Sequence, residues 1–136
     1  MITKYFLNMI AGNVMHSTSV AALPPTYYVA LSTAMPTNDE GAGFTEVSGG
    51  AYTRGTFGVS AEPVDGMAAN AVDIEFPECT ANWGTVKAFG LYDAVSGGHL
   101  LSWDALKTEQ TIVAGNQVRF KPGTLKITFA KKTGSR

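Results

Sequence analysis

Thr85-Val86-Lys87-Ala88-Phe89-Gly90-Leu91-Tyr92-Asp93 is followed, after a connector of five residues, by His99-Leu100-Leu101-Ser102-Trp103-Asp104-Ala105-Leu106, and the fold class follows from this pair. Each half reads as a strand. The connector Ala94-Val95-Ser96-Gly97-Gly98 ends in two glycines able to take the positive φ that a hairpin turn requires. Both faces of the pair carry apolar residues, which predicts a central position in a sheet.

Upstream, Thr26 to Ser32 alternates, with Tyr27, Val29 and Leu31 on one face, and reads as a half-buried strand. Ala51 to Ser60 sets Phe57 and Val59 on one face. Asn70 to Phe76 points Val72, Ile74 and Phe76 inward and Asp73 and Glu75 outward. Downstream, Thr108 to Val113, Asn116 to Phe120 and Thr124 to Ala130 read as short strands, the last with Leu125, Ile127 and Phe129 inward. About eight strands at close spacing favour an all-β fold, an antiparallel β-sandwich or jelly roll. The expected core is Val29, Leu31, Phe57, Ile74, Phe76, Leu91, Leu101, Ile127 and Phe129.

One short N-terminal helix precedes the strands. From Ile2 to about His16, Ile2, Tyr5, Phe6, Met9, Ile10 and Val14 recur at spacings of three and four, and Leu23-Pro24-Pro25 prevents continuation. Such a short helix needs a sheet or another subunit to pack on. Thr33 to Gly50, rich in Pro, Asn, Asp, Gly and Ser, reads as a long exposed loop, functional or ordered by a partner. The organisation expected is a single domain over 1–136, with helix and lead-in at 1–20 and the sandwich at 25–130.

Composition agrees. The chain has 136 residues, 45% apolar and 15% charged, with fifteen glycines, six prolines and a net charge of −1. A helical bundle or coiled coil would be richer in charge. No apolar run reaches the about 18 residues of a membrane-spanning helix, so no membrane partner is expected, and the start lacks the pattern of a secretory signal. Synthesis and assembly in a cytoplasm are the expectation. The lone Cys79 has no disulfide partner within the chain.

Charge is segregated. All eleven acids lie between Asp39 and Glu109 alongside three bases, a net of −8, whereas six bases and no acid follow Glu109. The tail bases alternate with apolar residues and lack an aromatic stacking platform, which argues against nucleic acid. Arg119, Lys121, Lys126, Lys131 and Lys132 are expected to form an interface with acidic surface on another copy or on a shell protein.

Candidates for catalysis are few. His16 and His99 are the only histidines, and no hydrolase, metalloprotease or phosphate-loop motif is present. Asp73 and Glu75 share an outward strand face, and Glu78 lies nearby; such carboxylates are usually solvated. Cys79 has no adjacent base to activate it and reads as a turn or core residue. Trp83 and Trp103 read as core or hinge aromatics, with a host-glycan stacking platform as the alternative. The expectation is a non-enzymatic protein with no cofactor and no metal.

The order of segments carries a resemblance. Tyr28-Val29-Ala30-Leu31-Ser32-Thr33-Ala34-Met35-Pro36-Thr37, Thr45-Glu46-Val47-Ser48-Gly49-Gly50-Ala51-Tyr52-Thr53-Arg54, Ile74-Glu75-Phe76-Pro77-Glu78-Cys79-Thr80-Ala81-Asn82-Trp83-Gly84-Thr85-Val86, Phe89-Gly90-Leu91-Tyr92-Asp93-Ala94 and Ser96-Gly97-Gly98-His99-Leu100-Leu101 resemble a family of small tailed-bacteriophage virion proteins whose members are often labelled tail-fibre proteins. The resemblance implies a structural protein of the virion, assembled in the host bacterial cytoplasm. Its partners would be its own copies and major capsid or tail proteins. Lacking a repeat, heptad or shaft-like segment, the chain fits a capsid decoration or cement subunit, or a small tail accessory; the alternative is a receptor-binding module of a tail fibre that takes host glycan. Within the resembling motifs, Gly49-Gly50 and Gly97-Gly98 permit turns, Pro36 and Pro77 end strands, Arg54 binds a carboxylate at a strand edge, and Trp83-Gly84 packs a tight corner.

Overall fold

The computed structural model describes residues 1–15, 22–58 and 60–129. His16, Val59, Ala130, Lys131, Lys132 and Arg136 lie outside them. The elements in order are α1 (Lys4–Val14), β1 (Tyr28–Ser32), β2 (Gly55–Thr56), β3 (Met67–Ala69), β4 (Ile74–Glu75), β5 (Gly84–Tyr92), β6 (Leu100–Ile112), β7 (Arg119–Phe120) and β8 (Lys126–Thr128). One four-stranded sheet has the order β2-β1-β5-β6, and two ribbons pair β3 with β8 and β4 with β7, all antiparallel. The all-β fold with one N-terminal helix therefore holds.

The β5–β6 hairpin lies at the heart of the larger sheet. β5 is sandwiched between β1 and β6, with Leu91 opposite Val29 on one side and Ser102 on the other. Its neighbour β1 departs from the half-buried expectation, since Val29, Ala30, Leu31 and Ser32 are all buried, covering both faces. The cause is the 33–50 segment, which folds back over the second face and is ordered by its own chain. Val47 N–H donates to Leu31 O at 3.0 Å, Phe44 packs edge-on against Tyr92 at 6.0 Å, and the Trp103 indole N–H donates to Asn38 O at 2.9 Å.

β6 is one strand of thirteen residues where two were expected. It survives a large bulge: Val86 faces Gln110 and Ala88 faces Ala105, so Leu106 to Glu109 bow out opposite Lys87 alone. The first half of its outer edge is covered by Met1 to Thr3, with Ile2 bridging Ser102.

That bridge is why Ile2 is not helical. Thr3 is the N-cap: its Oγ1 accepts from Phe6 N–H at 3.3 Å and donates toward the carbonyls of Leu100 and Leu101 at 3.0 Å. The Glu40 carboxylate adds a negative charge there, accepting from Lys4 N–H at 3.2 Å. Phe6 and Met9 enter the core, whereas Val14 is 65% exposed, so the buried stripe is narrower than the periodicity implies.

Eight of the nine expected core residues are buried, but Phe129 is 41% exposed and packs edge-on against Phe6 at 5.8 Å, at the rim. Val72 is also exposed, because the chain bends after Asn70, whose side chain holds Val72 O at 2.9 Å, and inward alternation starts only at Ile74. The flanking strands are shorter than their alternation predicts. Gly58, at φ +75°, turns the chain just past β2, and Pro77 follows β4 closely. β3 adds a strand beyond those expected: it is the return limb of a small hairpin over 60–70.

Candidate functional site

Three of the five residues assigned to an interface come together. Arg119, Lys121 and Lys126 line one side of a groove of about 610 Å³, and Lys107 and Asp104 from β6 line the other, over a floor that includes the buried Phe89, Phe120 and Leu125. The other two, Lys131 and Lys132, lie outside the described residues.

The geometry of the lysine-bearing turn is set by Asn70. Lys121-Pro122-Gly123-Thr124 is a type II turn, with Pro122 at its second position and Gly123 at φ +82° at its third. Buried Asn70 grips it from beneath. Its Nδ2 donates to Lys121 O at 3.0 Å, its backbone carbonyl accepts from Gly123 N–H at 2.8 Å, and its Oδ1 accepts from Leu125 N–H at 3.0 Å. Thr124 closes the turn by donating to Lys121 O at 2.6 Å. With its amide satisfied on both ends, Asn70 is a buried polar group that specifies one loop geometry.

The groove's charges are not equivalent. Arg119 is not an unpaired tail base: its Nε lies 3.2 Å from Glu75 Oε2 and 3.9 Å from Asp73 Oδ2. The β4–β7 pairing places Glu75 directly opposite Arg119 and so joins the two charge blocks within one chain. Asp73 and Glu75 do face outward as expected, but with a cation between them. Lys107, Lys121 and Lys126 make no ion pair among the described residues. Lys107 escapes a reading of the sequence because it lies in the acidic middle of the chain, and only the β6 bulge carries it to the groove.

A second polar cluster supports the hairpin end of the large sheet. Arg54, 8% exposed, donates to both carboxylate oxygens of Glu46 at 2.8 and 2.9 Å, then to Ala94 O at 2.8 Å and Gly97 O at 2.7 Å, with its guanidinium 3.7 Å over the Tyr92 ring. Tyr52 donates to the same carboxylate at 2.8 Å. Burial pushes the Glu46 carboxyl up, but the bonds from Arg54 and Tyr52 and the Arg54 charge outweigh it, leaving the group below its usual value. Burial, reinforced by Glu46, drives the Tyr52 hydroxyl well above its normal range. Arg54 thus binds a carboxylate as the motif implied and also pins the 94–98 turn, where Gly97 and Gly98 take positive φ. This is a structural clamp in which each guanidinium nitrogen is engaged.

The remaining candidates have structural partners. His99 accepts or donates at Nδ1 with Asp93 at 3.2 Å and stacks on Tyr5 at 4.0 Å. Cys79 is buried, its thiol donating to Val113 O at 2.7 Å. Trp83 and Trp103 are 5% and 7% exposed, with indole N–H groups bonded to Gly50 O and Asn38 O, so neither offers a face for a sugar ring.

A family model described as "Podophage GP4 fiber I protein gp80" matches residues 1–128. No curated protein sequence matches the chain.

Proposed function

The chain belongs to the podophage GP4 fibre I protein gp80 family, and from that premise we propose that it is a non-enzymatic structural subunit of a tailed-phage virion that acts by assembling. The family match over residues 1–128 carries this reading. Within it, the compact β fold suits a decoration or tail-accessory subunit whose partners are its own copies and the major capsid or tail proteins. The groove supplies the contact surface. Three lysines without in-chain ion-pair partners among the described residues, set over an apolar floor, suit an acidic segment on a neighbour. Exposed ion pairs contribute only about 0.2–1 kcal/mol each, but repetition over many copies sets register and partner choice. Assembly within the host bacterial cytoplasm follows if the subunit joins the particle before release.

The test is microscopy of virions carrying the wild-type chain or K107Q/K121Q/K126Q. Density for the chain should appear on the particle, and the variant should show lower occupancy and a flatter salt dependence at an unchanged Tm. Absence of the chain from purified particles, or turnover of a glycan or nucleotide by the purified protein, contradicts the reading.

A further inference from the structure

We propose that the groove takes the acidic hairpin Ala61–Met67 of a second copy, in a head-to-tail contact between subunits. This rests on the reading of the chain as an assembling subunit with a basic contact surface, and it names the surface that meets the groove.

The hairpin is a built feature. Val64 and Met67 exchange both backbone hydrogen bonds, at 3.0 and 2.9 Å, around Asp65 and Gly66 at φ +53° and +74°, which is a type I′ turn. Ala61 N–H donates to Ala69 O at 2.7 Å and Ser60 bridges Asn70, so both limbs are registered. All seven residues from 61 to 67 are exposed. A surface already fixed in shape loses little conformational entropy on docking.

Its chemistry complements the groove. Glu62 and Asp65 flank Val64, which is 63% exposed, and Met67 stands nearby at 37%. No base occurs between Arg54 and Lys87, so the hairpin's charge is not offset locally in sequence. Two acids around an apolar tip match lysines around an apolar floor.

The same chain cannot make this contact. Along the β3–β8 ribbon, Ala69 faces Lys126 at the groove end and Met67 faces Thr128, so the hairpin tip leads away from its own groove. Donor and acceptor surfaces are therefore different patches at opposite ends of one ribbon. A contact between unlike patches is heterologous, and repetition closes a ring or extends a filament.

Two full-length variants test this by sedimentation velocity at low salt. E62Q/D65N neutralises the hairpin while keeping a residue that tolerates positive φ, and K107Q/K121Q/K126Q neutralises the groove. Circular dichroism checks that both fold. Each alone should self-associate about tenfold more weakly than wild type. Their equimolar mixture should form a discrete heterodimer, because one partner keeps its groove and the other its hairpin. If E62Q/D65N associates like wild type while the lysine variant does not, the hairpin is overturned and the basic-surface reading stands. A wild-type chain that stays monomeric yet attaches to virions through its lysines likewise overturns the hairpin and leaves the basic surface in place. If both variants associate like wild type, the hairpin proposal and the basic-surface contact both fall.

Discussion

Arg54 grips Glu46 through two parallel hydrogen bonds of 2.8 and 2.9 Å, across eight residues of sequence that include the tight Gly49-Gly50 turn. The same guanidinium holds Ala94 O and Gly97 O, so one side chain couples the 33–50 segment to the β5–β6 turn. A planar fork with several donors can do this, and a lysine ammonium cannot reproduce it.

Replacing Arg54 by Lys, or Glu46 by Gln, should destabilise the chain by about 3 kcal/mol, the lower part of the range for breaking a buried pair, because Glu46 keeps 26% side-chain exposure. The folded-state pKa of Glu46 is depressed. Its contribution is therefore present above the unfolded carboxylate pKa and lost as pH falls through the folded one. Thermal melts from neutral to acid pH should show wild type losing Tm faster than Glu46→Gln as the carboxylate protonates. Parallel pH profiles would contradict the assignment.

Asn70→Ala should cost about 3 kcal/mol, since it leaves the buried Leu125 N–H without its acceptor and removes the amide's bonds to Val72 O and Lys121 O, the latter still held by Thr124. It should also loosen the Lys121–Thr124 turn. Amide hydrogen exchange at Gly123 and Leu125 would rise ahead of exchange in β5.

Gly50 and Gly115 both have positive φ but different surroundings. A Cβ on Gly50 would lie 2.8 Å from Trp83 Nε1 and 2.9 Å from Ala81 O, whereas one on Gly115 meets nothing within 4 Å. Gly115→Ala should thus cost only the conformational penalty of about 1–2 kcal/mol. Gly50→Ala should exceed it and shift the Trp83 fluorescence spectrum as the ring gives way. Equal denaturant midpoints for the two variants would show that the corner yields freely.

Phe76→Ala should destabilise by about 3–5 kcal/mol, because its ring is 1% exposed and packs against Tyr52, Trp83 and Phe120. Phe129→Ala at the rim should cost no more than about 1 kcal/mol. Urea midpoints would rank the two, and a reversed order would move the core boundary.

The strand-rich class, the N-terminal helix, the central hairpin and most of the core are legible in the order of residues alone, because side-chain alternation and glycine or proline punctuation are local signals. One further local signal is present: Asp65-Gly66 is a hairpin-turn dipeptide, and it marks the hairpin that ends in β3. Helix and strand ends were poorly legible, since Thr3 as a cap, the bridge of Ile2 to Ser102 and the bend after Asn70 depend on partners distant in the chain. The candidate site belongs to the tertiary structure. Composition put Lys107 among acids and Arg119 in an unpaired basic tail, but the β6 bulge carries Lys107 into the groove, and the β4–β7 register sets Arg119 beside Glu75. Charge acts through space over a few ångströms, so its partners are fixed by register and bulges, which no run of adjacent residues records.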